Sequence, residues 1–342
     1  MTMMRNREWR LERRPEGAVS SADLVLQDSQ IDTPGRGQFL VRVTTVSIDP
    51  AMRGWMSPLR SYIPPVALGQ PMRAIAAGVV IASRHADFPE GTRVTGLFGL
   101  REHALSDGLT EGVGVRRIPD DIPDEVALGT CGLAGITAYF GLFDLGRPAP
   151  GDTLVVSAAA GSVGSAVVQL GRLAGCHVIG VASSGRREAV LGDGAHEVVD
   201  YTGGDVDQRL KALCGQGIDI YFDNVGGPVL DAALKRINTG ARIVLCGGIS
   251  QYNARKPVGP ANYLALIGQR ATMRGFVYFD YESQFATAEQ RLWDWHRSGA
   301  LRQRVDIVDG IEHALQAITR VFEGRNTGKQ LLRLHAETGR EM

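Results

Sequence analysis

Ala159, Gly161 and Gly164 stand at the spacing of a GxGxxG turn, with alanine in the first place and Ser162 and Val163 between the glycines. The chemistry open to such a turn is capture of a dinucleotide pyrophosphate. Gly161 lets the backbone approach the phosphates, Gly164 lets a helix pack close to the preceding strand, and the free N–H groups of the helix start attract the anion. Further on, where an NAD enzyme usually presents a carboxylate to the adenosine ribose, the chain runs Ser183, Ser184, Gly185, Arg186, Arg187. With no carboxylate to repel it and two guanidiniums to pair with it, a ribose 2′-phosphate is accepted, which favours NADP(H) over NAD. The plainer alternative is that both arginines are a solvated helix start.

These residues need a strand, a turn, a helix and a second strand in immediate succession. Leu154 to Ala158 is a short apolar run of the kind buried on both faces of a parallel sheet. Ser162 to Ala174 carries Val163, Ala166, Val167, Leu170 and Ala174 at helical spacing, and Val178 to Ala182 is the second strand. Further strand candidates are Glu197 to Tyr201, Ile218 to Val225, Ala241 to Gly248 and Ala271 to Tyr278, with a helix such as Val229 to Ile237 between them. Strands alternating with helices predict a doubly wound parallel sheet.

Before this region, the β-type runs Phe39 to Ile48, Met72 to Ser83 and Thr92 to Gly99 are punctuated by glycine and proline, as in a compact β-rich, barrel-like domain. Ala127 to Gly146 reads as apolar and helical. A helix over Glu312 to Phe322 and a strand over Gln330 to Leu334 are expected to return to the first domain. The organisation predicted is a β-rich domain at 1–127, a nucleotide-binding domain at 128–308 and a returning segment at 309–342.

A chain of 342 residues is too long for one ordinary core. Lysine plus arginine (37) equals aspartate plus glutamate (37), which leaves no electrostatic case for nucleic acid or an anionic membrane. The partners expected are small molecules or a second copy of the chain. Arg5, Arg7, Arg10, Arg13 and Arg14 are interrupted by Glu8, Trp9, Leu11 and Glu12, and no apolar run follows them, so a soluble cytoplasmic protein is expected. Cys131, Cys176, Cys214 and Cys246 form no CxxC or zinc-finger spacing and read as small core residues; the histidines are dispersed, and no metal site is expected.

Taken in order, NREWRLERRPEG (6–17), SIDPAMRGWM (47–56), SYIPPVALGQ (61–70), LGTCGLAGITAYFGL (128–142), AAAGSVG (158–164), FDNVGG (222–227), CGGISQYN (246–253) and GRNTGKQLL (324–332) resemble the medium-chain dehydrogenase/reductase superfamily. Within it the chain resembles the zinc-independent, NADP-dependent double-bond reductases, the group of leukotriene B4 12-hydroxydehydrogenase, prostaglandin reductase and curcumin reductase. The resemblance implies a GroES-like barrel domain beside a Rossmann domain. It assigns Gly161, Ser162, Val163 and Gly164 to the pyrophosphate, Arg187 to the 2′-phosphate and Tyr201 to its support. Further cofactor contacts it implies are Asn224, the run Cys246, Gly247, Gly248, Ile249, Ser250, Gln251 and Tyr252, the strand Phe276, Val277 and Tyr278, and Asn326. For Cys246 and Phe276, packing in a strand core is an equal account.

Two departures matter. Zinc members of the superfamily place a cysteine where this chain reads Ser47, Ile48, Asp49, Pro50, and carry a lobe of four clustered cysteines absent here, so catalytic zinc is not expected. The subgroup's DPYMR is DPAMR, so Ala51 replaces a tyrosine often placed at the substrate, and Leu133-Ala134-Gly135 stands for MPG.

The activity implied is NADPH-dependent reduction of a carbon–carbon double bond conjugated to a carbonyl, in enals and enones. Tyr252, in the loop after a sheet strand, is the candidate phenol facing the carbonyl oxygen, or else packs against cofactor without chemistry. Tyr62 is a candidate for the substrate entrance, or simply a ring packed beside Pro64 and Pro65. A quinone reductase on the same scaffold is the nearest alternative, and a non-catalytic NADPH-binding protein a further one. An uncapped apolar edge strand over Ala271 to Tyr278 predicts a homodimer.

Overall fold

The computed structural model describes residues 3–334, which divide into two compact units, 3–128 with 305–334, and 129–304. The tail beyond Leu334, including part of the expected returning segment, lies outside the described residues.

The first unit is β-rich. A sheet runs in the order Val305–Asp309, Lys329–Arg333, Phe39–Ser47, Ala76–Ser83, Arg93–Gly96, Arg116–Arg117, with His103–Ser106 also paired to Phe39–Ser47. A long antiparallel hairpin, Met4–Leu11 with Leu24–Ile31, forms a separate two-stranded sheet in this unit, with single bridges from Glu8 to Arg101 and from Arg10 to Pro71 in the connecting segments. The chain returns at Val305, because Val305–Asp309 pairs in parallel with Lys329–Arg333 of this sheet, ahead of the 309 boundary read from the sequence.

The second unit carries six parallel strands in the order Glu197–Asp200, His177–Ala182, Thr153–Ser157, Ile218–Asp223, Ile237–Leu245, Thr272–Gly275. In chain order this is 3-2-1-4-5-6, the doubly wound arrangement whose order reverses beside the first strand. Thr153–Ser157 is buried along its whole length, as an apolar run flanked by helices on both faces must be. Val155, Ile179, Val199, Tyr221 and Ile243 meet Leu210, Leu230 and Leu234 from the covering helices.

Two expectations are corrected here. The strand predicted over Ala271 to Tyr278 stops at Gly275, where its pairing with Leu245 ends; Phe276 and Val277 are loop, and Tyr278 opens a 3₁₀ turn to Gln284. Without a neighbour beyond Leu245, the backbone of Phe276 has no ladder to join. The strand is at the edge of the sheet, as predicted, but it is not apolar: Thr272, Arg274 and Gly275 are exposed. The helical run expected over Ala127 to Gly146 is instead Asp124–Ala127, a glycine-rich loop, then Leu133–Phe140 continuing as a π-helical turn Gly141–Gly146. Gly129 and Gly132 break it. No helix among the described residues is long and apolar enough to cross a membrane.

Candidate dinucleotide and substrate sites

In the second unit the chain leaves Thr153–Ser157 through Ala158, held at φ +49°, and enters the helix Ser162–Leu173 with Gly161 at its N-cap. A positive φ on a non-glycine residue persists only where the surroundings over-determine it. Each position of the turn has a distinct physical reason. A Cβ on Gly164 would overlap the Ala158 carbonyl oxygen and lie 2.9 Å from Ala159 Cα, so only glycine lets the helix sit this close to the strand. A Cβ on Gly161 would meet only the Ala158 oxygen, at 3.2 Å. The backbone there is open, and the fold itself leaves room for a side chain.

Alanine in the first fingerprint place is explained by the neighbouring strand. Ala159 is fully buried, and its Cβ lies 2.9 Å from where a Cβ of Gly180 would stand. Gly180, on the strand His177–Ala182, leaves room for Ala159 and for Val190, whose Cγ1 would lie 2.5 Å from a Cβ there.

The turn fits a dinucleotide phosphate. Ser162 Oγ is buried with no hydrogen-bond partner among the described residues, and the first-turn N–H groups have no intrahelical acceptor. An anion with several oxygens would satisfy both. At the ends of the next two strands, Arg187 is exposed and anchored by Nη1 to the Val198 carbonyl at 3.1 Å, while the Tyr201 N–H donates to Ala182 at 3.2 Å and its ring is half-exposed. Arg187 thus opens the helix Arg187–Gly192 and bonds the strand Glu197–Asp200, after which Tyr201 follows directly. The described segment between them and the turn offers no carboxylate immediately after Ala182.

Beyond the first strand, Asn224 donates through Nδ2 to the Ser157 carbonyl at 2.8 Å, and its N–H donates to Ser157 Oγ at 2.8 Å. Ile249 N–H reaches the Asn224 carbonyl, and Ser250 Oγ donates to the Val225 carbonyl at 2.6 Å. The Gly247 and Cys246 N–H groups both reach the Asp223 carbonyl, so Asn224 and the 246–252 run form one cluster at the carboxyl ends of three adjacent strands. Tyr252 is half-buried, and its hydroxyl accepts from the Gly248 N–H at 3.2 Å.

Asp223 was not singled out by the sequence. Its carboxylate is buried and accepts from Ser157 Oγ (2.9 Å), the Tyr221 hydroxyl (3.1 Å) and the N–H groups of Val225 and Gly226. Burial pushes its pKa above the usual carboxylate value, against the pull of those donors. An aspartate that ends a strand and bonds the N–H groups two and three residues on is an Asx-type turn, a signal readable in Asp223-Asn224-Val225-Gly226. Burial, and then Asp223, push the Cys246 thiol to about 12, which leaves it a neutral packing group. Phe276 is not a strand residue; its ring, with Phe222, fills the space beside Gly141.

Asn326 falls in the first unit, where Nδ2 donates to the Gly328 carbonyl at 2.9 Å. In the same unit Ala51 opens the short helix Ala51–Trp55 and is half-buried, and Tyr62 is 50% exposed, its hydroxyl accepting from Trp55 Nε1 at 3.0 Å. Just before Ala51, the fully enclosed Lys329 ammonium pairs with the Asp49 carboxylate, which also accepts from Ser47 Oγ. This pair ties the last strand to the segment that carries Ala51.

Residues 7–113 match the family "N-terminal domain of oxidoreductase" and residues 162–294 the family "Zinc-binding dehydrogenase". The chain is 38% identical over 338 residues to the NADPH-dependent curcumin reductase of Escherichia coli K12, covering 96% of this chain and 97% of that protein. It is 33% identical over 339 residues to prostaglandin reductase 1 of Rattus norvegicus, covering 97% of this chain and all of that one. CurA of Vibrio vulnificus, solved in complex with NADPH, superposes with a TM-score of 0.90 at 39% identity, covering 96% of this chain and 99% of that one.

The chain belongs to the zinc-independent double-bond reductases of the medium-chain dehydrogenase/reductase superfamily. Despite the name of the second matching family, the side chains here do not fit a zinc ion. No three His, Cys, Asp or Glu side chains come together as a metal site among the described residues, and the four cysteines are unpaired and separate. As a member of this group the chain is an NADP-dependent oxidoreductase acting on conjugated double bonds.

Proposed function

We propose that this protein reduces the carbon–carbon double bond of α,β-unsaturated aldehydes and ketones with NADPH and without zinc. The observation that carries the reading is the dinucleotide turn, with an open backbone at Gly161 and an orphaned Ser162 Oγ, on a chain aligned end to end with an NADPH-dependent curcumin reductase.

NADPH, when bound, supplies a hydride for the β carbon of the alkene. The residues of the chain hold, orient and polarise. Gly161, Ser162, Val163 and Gly164 hold the pyrophosphate, Arg187 with Tyr201 holds the 2′-phosphate, and Asn224, the 246–252 loop, Phe276 to Tyr278 and Asn326 are further cofactor contacts. Tyr252 donates a hydrogen bond to the carbonyl oxygen on which charge collects, the point where a donor is worth most. Ala51 and Tyr62 border the substrate, and Ala51 leaves room that a tyrosine would fill.

The assembly proposed is a homodimer formed through the edge strand Thr272–Gly275, whose unpaired backbone invites a twin across a twofold axis. Tyr263, Leu264 and Ile267 are exposed on the segment just before it. Light scattering at the monomer mass would exclude this. The location proposed is the cytoplasm, since four unpaired cysteines suit a reducing compartment.

The test is NADPH absorbance against a panel of enals, enones and benzoquinones, with NADH in parallel. Turnover of nonenal or a related enone well above that of benzoquinone is expected. Preference for the quinone would assign the reductase class differently, and tight NADPH binding with no oxidation by any substrate would make the protein a nucleotide binder.

A further inference from the structure

Arg73 takes no part in the chemistry above, yet it is among the most enclosed charged residues of the first unit, at 5% exposure. Its contacts lead toward the segment that carries Tyr62. Nη1 donates to the Pro64 carbonyl at 3.0 Å, and the guanidinium lies over the Trp55 ring, 5.6 Å from its centroid. Trp55 in turn donates Nε1 to the Tyr62 hydroxyl at 3.0 Å, and its carbonyl accepts the Val66 N–H at 2.9 Å. On its remaining side Arg73 is ion-paired with Glu111, to which Nε donates at 2.5 Å. Glu111 is at the tip of the hairpin Leu109–Thr110 with Val113–Gly114, where Glu111 (φ +52°) and Gly112 (φ +83°) make a two-residue turn with both positions left-handed. A non-glycine residue keeps that conformation where its surroundings hold it, and the Arg73 pair is what Glu111 holds.

Within residues 61–66 packing anchors only Ile63 and Val66, which are buried, while Tyr62 and Pro64 between and beside them are exposed. The segment backs onto a cavity of about 310 Å³ bordered by Pro65, Val66, Leu97, Arg73 and Glu111, and Tyr62 itself is half-exposed. An apolar side chain of similar volume would fill the site of Arg73 without taking a charge out of water. The planar fork adds geometry instead: one donor for a carbonyl, one for a carboxylate, and a face for an indole.

We propose that Arg73 is a positioning residue for substrate selection, which, held by Glu111, sets the place of Tyr62 and Pro64 and so the wall that the enone meets. This rests on the reading of the protein as an enone reductase.

Arg73→Met keeps the volume and leaves behind the exposed Glu111 carboxylate and the carbonyl of Pro64, an exposed residue, so the variant should fold. Its KM for an enone should rise roughly tenfold, the size of a lost charge-assisted contact, with kcat changed less than about twofold and NADPH affinity unchanged. Arg73→Lys, which keeps the charge and loses the fork, should recover part of that rise. Glu111→Gln should move KM in the same direction by less, and carries the same test should Arg73→Met fail to fold. Combined with Tyr62→Phe, the loss from Arg73→Met should not add, because both act through one phenol. Additive losses, or a fall in kcat with KM unchanged, would overturn the proposal. Amide exchange gives a reading independent of activity: the Val66 N–H should exchange faster in Arg73→Met than in the native chain. Unchanged exchange at Val66 refutes the positioning role, whereas a native chain that reduces no enone refutes the reductase reading and leaves the exchange result to decide on Arg73.

Discussion

Gly161 and Gly164 stand three residues apart in one turn, and substituting each by alanine should produce opposite phenotypes. At Gly164 the added methyl overlaps the Ala158 carbonyl and comes within 2.9 Å of Ala159 Cα, all backbone atoms that cannot rotate away. Overpacking of this kind costs about 1 to 3 kcal/mol, against which alanine's better helix propensity returns about 1 kcal/mol. A clash with backbone at this distance falls in the upper part of that range, about 2 to 3 kcal/mol, so the net loss is about 1 to 2 kcal/mol and lowers the melting temperature of a unit this size by roughly 2 to 8 °C. At Gly161 the backbone is at φ −77°, ψ 174°, which any residue adopts, and the methyl meets a single oxygen at 3.2 Å. Stability of the cofactor-free protein should therefore stay within about 1 kcal/mol of native. The methyl does stand where the pyrophosphate must approach, so NADPH affinity should fall roughly tenfold to a hundredfold. The assay is thermal unfolding with and without NADPH, with a fluorescence titration beside it. Gly161→Ala should melt normally alone and lose most of the NADPH-induced rise, which follows the logarithm of ligand over Kd. Gly164→Ala should melt low in both conditions. A Gly161→Ala variant that binds NADPH normally, or a Gly164→Ala variant that melts like native without cofactor, would refute the division of roles.

Arg187→Ala should weaken NADPH by roughly tenfold to a hundredfold and leave NADH nearly untouched; equal losses in paired titrations would remove the arginine from the 2′-phosphate. Tyr252→Phe should lower turnover while NADPH binding survives, since it deletes only a donor to the developing charge, and unchanged turnover excludes that role. Ala51→Tyr should improve use of small enals and impair bulky enones, because the ring fills volume the alanine leaves open; an unchanged substrate ranking would show that position 51 does not face the substrate. The thiols of Cys131, pushed by burial to about 12, and of Cys176 and Cys214, pushed to about 11, should stay neutral at pH 8 and, with labelling read at these three buried positions, react with a thiol reagent only on unfolding. Rapid labelling of any of the three in the folded protein at that pH would contradict it.

The amino-acid sequence by itself determined the alternation of strands and helices in the second unit, the dinucleotide turn and the cofactor preference. These follow from short-range rules: side-chain period, glycine where the backbone must be bare, charge beside a strand end. Strand ends were less legible, because an end is set by the partner. Phe276 to Tyr278 looks as β-like as Thr272 to Gly275, and only the end of pairing at Leu245 takes it out of the sheet. The replacement of the first fingerprint glycine by Ala159 was visible, but its packing against Gly180 of the next strand was not, since the two meet only in the folded sheet. The tertiary structure alone decided what the buried charges do. Lys329 with Asp49, and Arg73 with Glu111, look like ordinary surface residues in a string of letters, and for Asp223 only its local turn is readable there, not its burial or its bond from Ser157. Their roles come from long-range burial and pairing, which gather partners up to 280 positions apart in the chain and which no local pattern encodes.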